Sequence, residues 1–152
     1  MNIKTENFGT ITVNQEDVIK FANGIPGFPE ATDFVILLQD DEDENNPICF
    51  LQSVQSPELS FVIIDTAGFL PEYRPMALLE YAREASGFNQ EDMAIFNIMT
   101  VHDELTDSTV NLKAPIIINT KNKTGRQVVC QNDEFPLRAR LFDIAKDEGG
   151  DC

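Results

Sequence analysis

The sequence is poor in the residues that metal sites and many catalytic sites use. Its 152 residues contain no tryptophan, one histidine and three cysteines. A zinc site normally needs three or four nitrogen or sulfur ligands, and no two cysteines are spaced as Cys-x-x-Cys. His102 has no matching partners nearby in the sequence and is interpreted as an ordinary residue at a strand end. The sequence therefore predicts no catalytic, cofactor-binding or metal-binding residue.

Long apolar segments are also absent. No apolar run approaches the roughly 18 residues that a membrane helix requires, and the stretch MNIKTENFGT has no apolar core of the signal-peptide kind. Cys49 and Cys130 lie inside apolar runs, whereas Cys152 follows a polar stretch. Unpaired cysteines of this kind are typical of a reducing compartment. We therefore expect a cytoplasmic protein that does not bind membranes.

Positive charge is scarce, with 11 basic residues against 26 acidic ones and a formal net charge of -15. Direct binding of nucleic acid depends on lysine and arginine neutralising phosphates, so this balance argues against it. A basic protein partner is favoured, because long-range attraction raises its association rate. The alternative is that the acidity only maintains solubility. A monomer is the simplest interpretation of so charged a surface.

The densest acidic stretch is a candidate contact for such a partner. Five adjacent like charges do not pack into a core, so the stretch is expected to form a solvated loop. Its spacing does not match the calcium-binding loop of an EF-hand. Its residues are Asp40, Asp41, Glu42, Asp43 and Glu44.

The remaining apolar segments are short and rich in valine, isoleucine and phenylalanine, which is typical of strands. The longest, Met93–Val101, is apolar on both faces and should be covered on both sides. Many short strands at regular spacing indicate a barrel or sandwich. We predict a mainly β protein with a small antiparallel β-barrel-like single domain over residues 1–145 and a short acidic tail over residues 146–152.

One prominent α-helix is predicted over residues 75–86. Pro75 suits the first helical position, and Gly87 suits the position after the last turn. The segment before the helix places large apolar residues between two prolines, where they either contact a partner or fill the core. The candidate partner-binding residues of this segment are Phe69, Leu70, Glu72 and Tyr73.

The stretch FANGIPGF, residues 21–28, is called the corner below. It has no lysine or hydroxyl residue and so does not match a phosphate-binding loop. Pro26 and Gly27 suit the second and third positions of a turn, with Gly27 at positive φ. We expect Phe28, like Phe21, to turn inward, and Ile25 near the apex to be the residue that could face a partner. The predicted structural residues are Gly24, Pro26, Gly27 and Phe28.

Four motifs in order make the chain resemble one known family. They are the corner, FLQS at residues 50–53, TVNLKAPIIIN at residues 109–119 and GRQVV at residues 125–129. Together they resemble the FliW family of flagellar assembly factors over nearly the whole chain. The resemblance implies a β-barrel-like fold, no enzymatic activity, and two protein partners: flagellin before export, and CsrA, a basic repressor of translation. It implies that accumulated flagellin occupies the factor and frees CsrA to repress flagellin synthesis.

Two other classes stay open on the residues alone. A β-barrel also suits a small-molecule-binding or enzymatic protein, because barrels hold ligands in their mouths. A bound cofactor after purification would favour that class. A purely structural subunit of a larger assembly is the third class, and gel filtration separates it from a monomeric factor.

Overall fold

The computed structural model describes residues 1–22, 24–38, 48–66, 93–104, 107–129 and 136–140. The described residues are mainly β, as predicted. The predicted helix over 75–86 and the predicted tail over 146–152 lie outside them. The strands are β1 Asn2–Thr5, β2 Gly9–Thr12, β3 Ile19–Lys20, β4 Asp33–Leu38, β5 Ile48–Ser53, β6 Ser60–Asp65, β7 Met93–Thr100, β8 Thr109–Val110, β9 Ile116–Asn119, β10 Thr124–Gln127 and β11 Ala139–Arg140, with a 3-10 helix at Gln15–Asp17.

Seven of these strands form a closed barrel in the order β3, β4, β5, β6, β7, β9, β10. The ring closes because β7 pairs with both β6 and β9, while β10 pairs with β3. Every pairing in the ring is antiparallel except that of β10 with β3. The predicted antiparallel barrel is thus confirmed, with one parallel closure. A closed sheet leaves no unpaired edge around the ring.

Strand β7 explains why its sequence is apolar on both faces. Ala94, Phe96 and Ile98 pack against the main core, which contains Phe34 and Leu51 among its buried residues. The alternate residues Met93, Ile95 and Met99 pack against a second core that includes Val110 and Leu112. The expectation that this strand is covered on both sides is therefore confirmed.

The N-terminal hairpin of β1 and β2 covers another part of the outside of the barrel. Ile3 is buried with Val18 and Val35, and Ile11 packs against the same cluster. The backbone N–H of Glu6 donates to the carbonyl of Pro57 at 2.8 Å, which ties the hairpin to the turn between β5 and β6. A two-stranded hairpin is marginal by itself, so its apolar contacts with the barrel are what hold it in place.

A buried polar group fixes the NLKAP part of the third motif. Asn97 is fully buried; its side-chain amide donates to the carbonyl of Asn111 at 2.8 Å and accepts from the hydroxyl of Thr66. The side-chain oxygen of Asn111 in turn accepts the backbone N–H groups of Lys113 and Ala114, each at 3.1 Å. Buried polar groups are costly unless they are paired, so this network sets one path for the chain between β8 and β9.

Cys49 gives a test of this packing. Its side chain is 4% exposed, and burial, reinforced by the negative charge of Asp65, raises the pKa of the thiol to about 11. A thiol whose pKa is higher in the folded chain stabilises the fold below its unfolded pKa, and that stability is lost as the pH rises. We expect the free energy of unfolding to fall between about pH 9 and about pH 11, and this slope to be absent from Cys49→Ala.

Equilibrium urea unfolding of both proteins at several pH values measures the effect. Cys130→Ser and Cys152→Ser in both backgrounds remove the other thiols. Parallel slopes for the two proteins would show that Cys49 is not buried as described.

Candidate functional site

The corner forms a tight turn at one end of the barrel. The backbone N–H of Phe28 donates to the carbonyl of Ile25 at 2.6 Å, and Pro26 and Gly27 are the two residues between them. Gly27 has a φ of 91°, which suits the third position of a type II turn. The Pro-Gly pair therefore forms the turn that the sequence predicts.

Gly24 lets the chain pass close beneath this turn. Its φ is 67°, and its backbone N–H donates to the carbonyl of Phe21 at 2.9 Å. A Cβ atom at this position would lie 2.4 Å from the carbonyl oxygen of Phe28. Only glycine fits here, because an L side chain would be strained by the dihedral angle and would also collide with the backbone.

Two expectations for the corner are wrong: Ile25 was expected to be exposed and Phe28 to be buried, and the structure shows the reverse. Ile25 is 2% exposed and belongs to the main core, so it cannot face a partner. Phe28 is 44% exposed and does not turn inward. The reason is the position of the turn. Its central residues are Pro26 and Gly27, so Ile25 is its first residue and packs into the core. Phe28 is its fourth residue and lies at the surface. Phe21 is fully buried, as expected.

A chain of aromatic contacts links the buried end of the corner to the exposed end. The ring of Phe21 lies 5.2 Å from that of Phe34, and Phe34 lies 6.3 Å from Phe61. Phe61 in turn meets Phe28 edge-on at 5.7 Å. Phe28 is therefore packed against the edge of the core and presents the rest of its ring to solvent.

Three of the grooves lined by described residues border the corner. The largest, called the Phe28 groove, has a volume of about 550 Å³ and lies between residues 27–31 and the β5–β6 turn, with Gln55, Ser56, Glu58 and Leu59 on its wall. A groove of about 370 Å³ lies between the corner and residues 125–127 of β10. The last, of about 300 Å³, is lined by Val129 and Leu137, two exposed apolar residues, and by Lys113. Grooves of this size suit binding sites, so this end of the barrel is the candidate site.

Gln52, from the FLQS motif, lies beneath the β5–β6 turn that forms one wall of the Phe28 groove. It is fully buried, and its amide nitrogen lies within hydrogen-bond distance of the carbonyls of Ser53, Ser56, Pro57 and Leu59, at 3.0 to 3.4 Å. One side chain thus gathers the carbonyl groups of the β5–β6 turn around a single donor. The amide oxygen of Gln52 has no partner among the described residues.

Replacing Gln52 with leucine should lower the free energy of unfolding by about 2 kcal/mol, because the turn carbonyls would lose their shared donor. Gln55→Leu is the control on the same turn, since Gln55 is exposed and its two side-chain hydrogen bonds, with the backbone N–H of Asp33 and the hydroxyl of Thr32, do not involve the turn carbonyls. Denaturant unfolding measures both, and amide exchange at residues 56–59 should speed up only in the Gln52 variant. Equal stability of the two variants would contradict this role.

The partner-binding residues predicted from the sequence lie outside the described residues: Asp40, Asp41, Glu42, Asp43, Glu44, Phe69, Leu70, Glu72 and Tyr73. The structure instead draws attention to Glu30 and Glu58, which the sequence did not single out, and to Phe28, which was predicted only as a structural residue. The available signal was the exposed run Phe28-Pro29-Glu30 directly after the turn, but its pairing with the β5–β6 turn depends on contacts between distant parts of the chain.

The described residues contain neither a candidate metal-binding group nor a membrane-spanning helix. They hold no group of three or more His, Cys, Asp or Glu side chains that could bind a metal ion, and His102 is exposed. Within the same ranges, no helix has the length and apolar character to cross a membrane. The features that remain are a packed barrel and the grooved surface at its end.

Known proteins resemble this chain in both sequence and fold. The family described as FliW protein matches residues 2–141. A flagellar assembly factor FliW from Desulfitobacterium hafniense (strain DSM 10664 / DCB-2) is 39% identical over 149 residues, which cover 98% of this chain and 96% of that protein. One from Geobacillus kaustophilus (strain HTA426) is 36% identical over 142 residues, 93% of this chain and 96% of that protein. A crystal structure of the flagellar assembly factor FliW superposes with a TM-score of 0.77 at 35% identity, covering 93% of this chain and 96% of that one.

Proposed function

The chain belongs to the FliW family of flagellar assembly factors, and on that premise we propose that it binds flagellin in the cytoplasm and antagonises the translational repressor CsrA. The observation that carries the proposal is the family match across residues 2–141, together with the same fold in a solved relative. Binding either partner draws on one pool of the factor. Accumulated flagellin then frees CsrA to repress flagellin synthesis, and export of flagellin reverses this by mass action.

Charge supports a basic partner. The described residues contain ten of the 26 acidic and eight of the 11 basic side chains, so their own charge is nearly balanced. Most of the net charge of -15 therefore comes from the rest of the sequence, including Asp40–Glu44. We propose that this acidic stretch raises the association rate of CsrA, and that Phe69, Leu70, Glu72 and Tyr73 also contact a partner.

The barrel interior supports a protein-binding role rather than the ligand-binding or enzymatic alternative. Phe21, Phe34, Leu51, Ile63 and Ile116 are all fully buried in the main core. An interior filled by apolar side chains leaves no room for a ligand surrounded by polar groups. The grooves around the corner lie outside this core, where a partner protein has access to them.

A pull-down tests the proposal. Tagged protein, incubated with lysate of the source organism, should recover both flagellin and CsrA, identified by mass spectrometry. Gel filtration of the purified protein should show a monomer. An unrelated acidic protein of similar charge is the control for capture by charge alone. Recovery of neither partner would refute the proposed function.

A further inference from the structure

The Phe28 groove combines an exposed aromatic ring with two carboxylates. Phe28 is 44% exposed on one side of it, although a phenylalanine in a single small domain is more often buried. Glu30 lies two residues after Phe28, and Glu58 lies on the opposite wall. Both glutamates are exposed. No lysine or arginine is among the described residues that line the groove.

Neither carboxylate has a charged or hydrogen-bonding partner among the residues that the structure describes. The ion pairs that the described residues form with one another include Lys20 with Asp33 at 2.7 Å and Arg140 with Asp107 at 3.4 Å. Within the described ranges, Glu30 and Glu58 take part in no ion pair or side-chain hydrogen bond. Because the described residues are nearly balanced in charge, this groove is a local concentration of negative potential beside an apolar ring.

Such a combination fits one type of side chain. An arginine guanidinium stacks on an aromatic face and donates paired hydrogen bonds to carboxylates, whereas a lysine ammonium is a compact, strongly hydrated charge. Aromatic residues and arginine are both enriched at protein interfaces, so Phe28 and an arginine of the partner are a suitable pair. The contact of Phe28 with Phe61 restricts its ring before binding, which lowers the entropy cost of ordering it in a complex.

We propose that the Phe28 groove is the docking site for an arginine-bearing loop of the basic protein partner. The guanidinium stacks on Phe28 and pairs with Glu30 and Glu58. This inference rests on the proposed function, in which that partner is CsrA. It assigns to the end of the barrel a specific contact, separate from the general attraction exerted by the net charge.

The test uses the full chain and purified CsrA, with affinity measured by calorimetry at several salt concentrations. The double variant Glu30→Gln and Glu58→Gln keeps the shape of the groove and removes its charge. The matched control is Glu16→Gln with Glu104→Gln, which loses the same charge at two exposed positions outside the groove. We expect the groove variant to bind CsrA about tenfold more weakly than the control, with a shallower salt dependence.

Phe28→Leu gives an independent arm, because leucine keeps an apolar side chain without the aromatic face. It should weaken CsrA binding by about fivefold. Binding of purified flagellin by each variant separates the two levels of the account. Equal weakening in the groove variant and the control, or loss of flagellin binding alone, would overturn the docking proposal while the proposed function stands. Failure of the unmodified chain to bind CsrA would overturn both.

Discussion

Replacing Gly24 with alanine is expected to lower the free energy of unfolding by about 3 kcal/mol or more. Two effects combine at this position. The φ of 67° is strained for any L side chain, and the added Cβ would lie 2.4 Å from the carbonyl oxygen of Phe28 and 2.8 Å from atoms of Pro29. Because the obstacle is backbone, relief requires the turn itself to move. Ile25 would then be drawn out of the core.

Gly27 and Gly9 are the matched controls for that experiment. Both have positive φ, at 91° and 68°, but a Cβ at either position meets no atom within 4 Å. Alanine at Gly27 or Gly9 should therefore cost only about 1 kcal/mol, from the dihedral angle alone. Chemical denaturation of the three variants compares the costs. If Gly24→Ala is no worse than the two controls, the described packing beneath the turn is wrong.

Replacing Gly125 with alanine should lower the free energy of unfolding by about 2 kcal/mol, for a different reason. Gly125 pairs with Ile118 between β10 and β9, and a Cβ there would lie 2.5 Å from the ring carbon Cζ of Phe21. Phe21 is fully buried in the main core, and protein cores are close-packed, so moving its ring would disturb the residues around it. Gly125 of the GRQVV motif therefore leaves the space that the ring of Phe21 occupies.

A double-mutant cycle isolates that contact. Phe21→Leu shortens the side chain, so Gly125→Ala should cost less by about 1 kcal/mol in the Phe21→Leu background than in the unmodified chain. Phe61→Leu serves as the control partner, because Phe61 is not among the atoms nearest to the added Cβ. Additive costs in both cycles would show that Gly125 and Phe21 are not coupled.

The sequence determined much of the barrel but little of its functional surface. Short apolar runs predicted the strands, and the two apolar faces of Met93–Val101 correctly indicated cover on both sides. Local turn chemistry placed Pro26 and Gly27 correctly. These features depend on neighbouring residues in the sequence, where alternation and backbone preferences operate.

The errors concern contacts between distant segments. Whether Ile25 or Phe28 enters the core depends on where β5, β6 and β10 lie around the corner, which no local pattern encodes. Two other features also depend on contacts between distant segments: the space that Gly125 leaves for Phe21, and the position of Glu58 next to the corner. The parallel pairing of β10 with β3 was likewise not predicted, because it joins segments about a hundred residues apart.

The corner therefore has two roles in this account. Its buried residues, Phe21 and Ile25, anchor one end of the barrel, and its exposed residue Phe28 forms the wall of a groove suited to a partner. From the sequence alone, the corner was predicted to be mainly structural, with Ile25 rather than Phe28 as the residue that could face a partner. Stability and binding should separate in variants: Gly24→Ala affects mainly folding, whereas Glu30→Gln with Glu58→Gln affects mainly binding.

Competition between the two proposed partners tests the central claim most directly. The purified chain is immobilised on a surface and saturated with labelled CsrA, and flagellin is added in increasing amounts. The label that remains on the surface measures the CsrA that is still bound. We predict that flagellin releases CsrA completely as its concentration rises. Absence of CsrA binding at the start, or a stable complex of all three proteins at saturating flagellin, would contradict it.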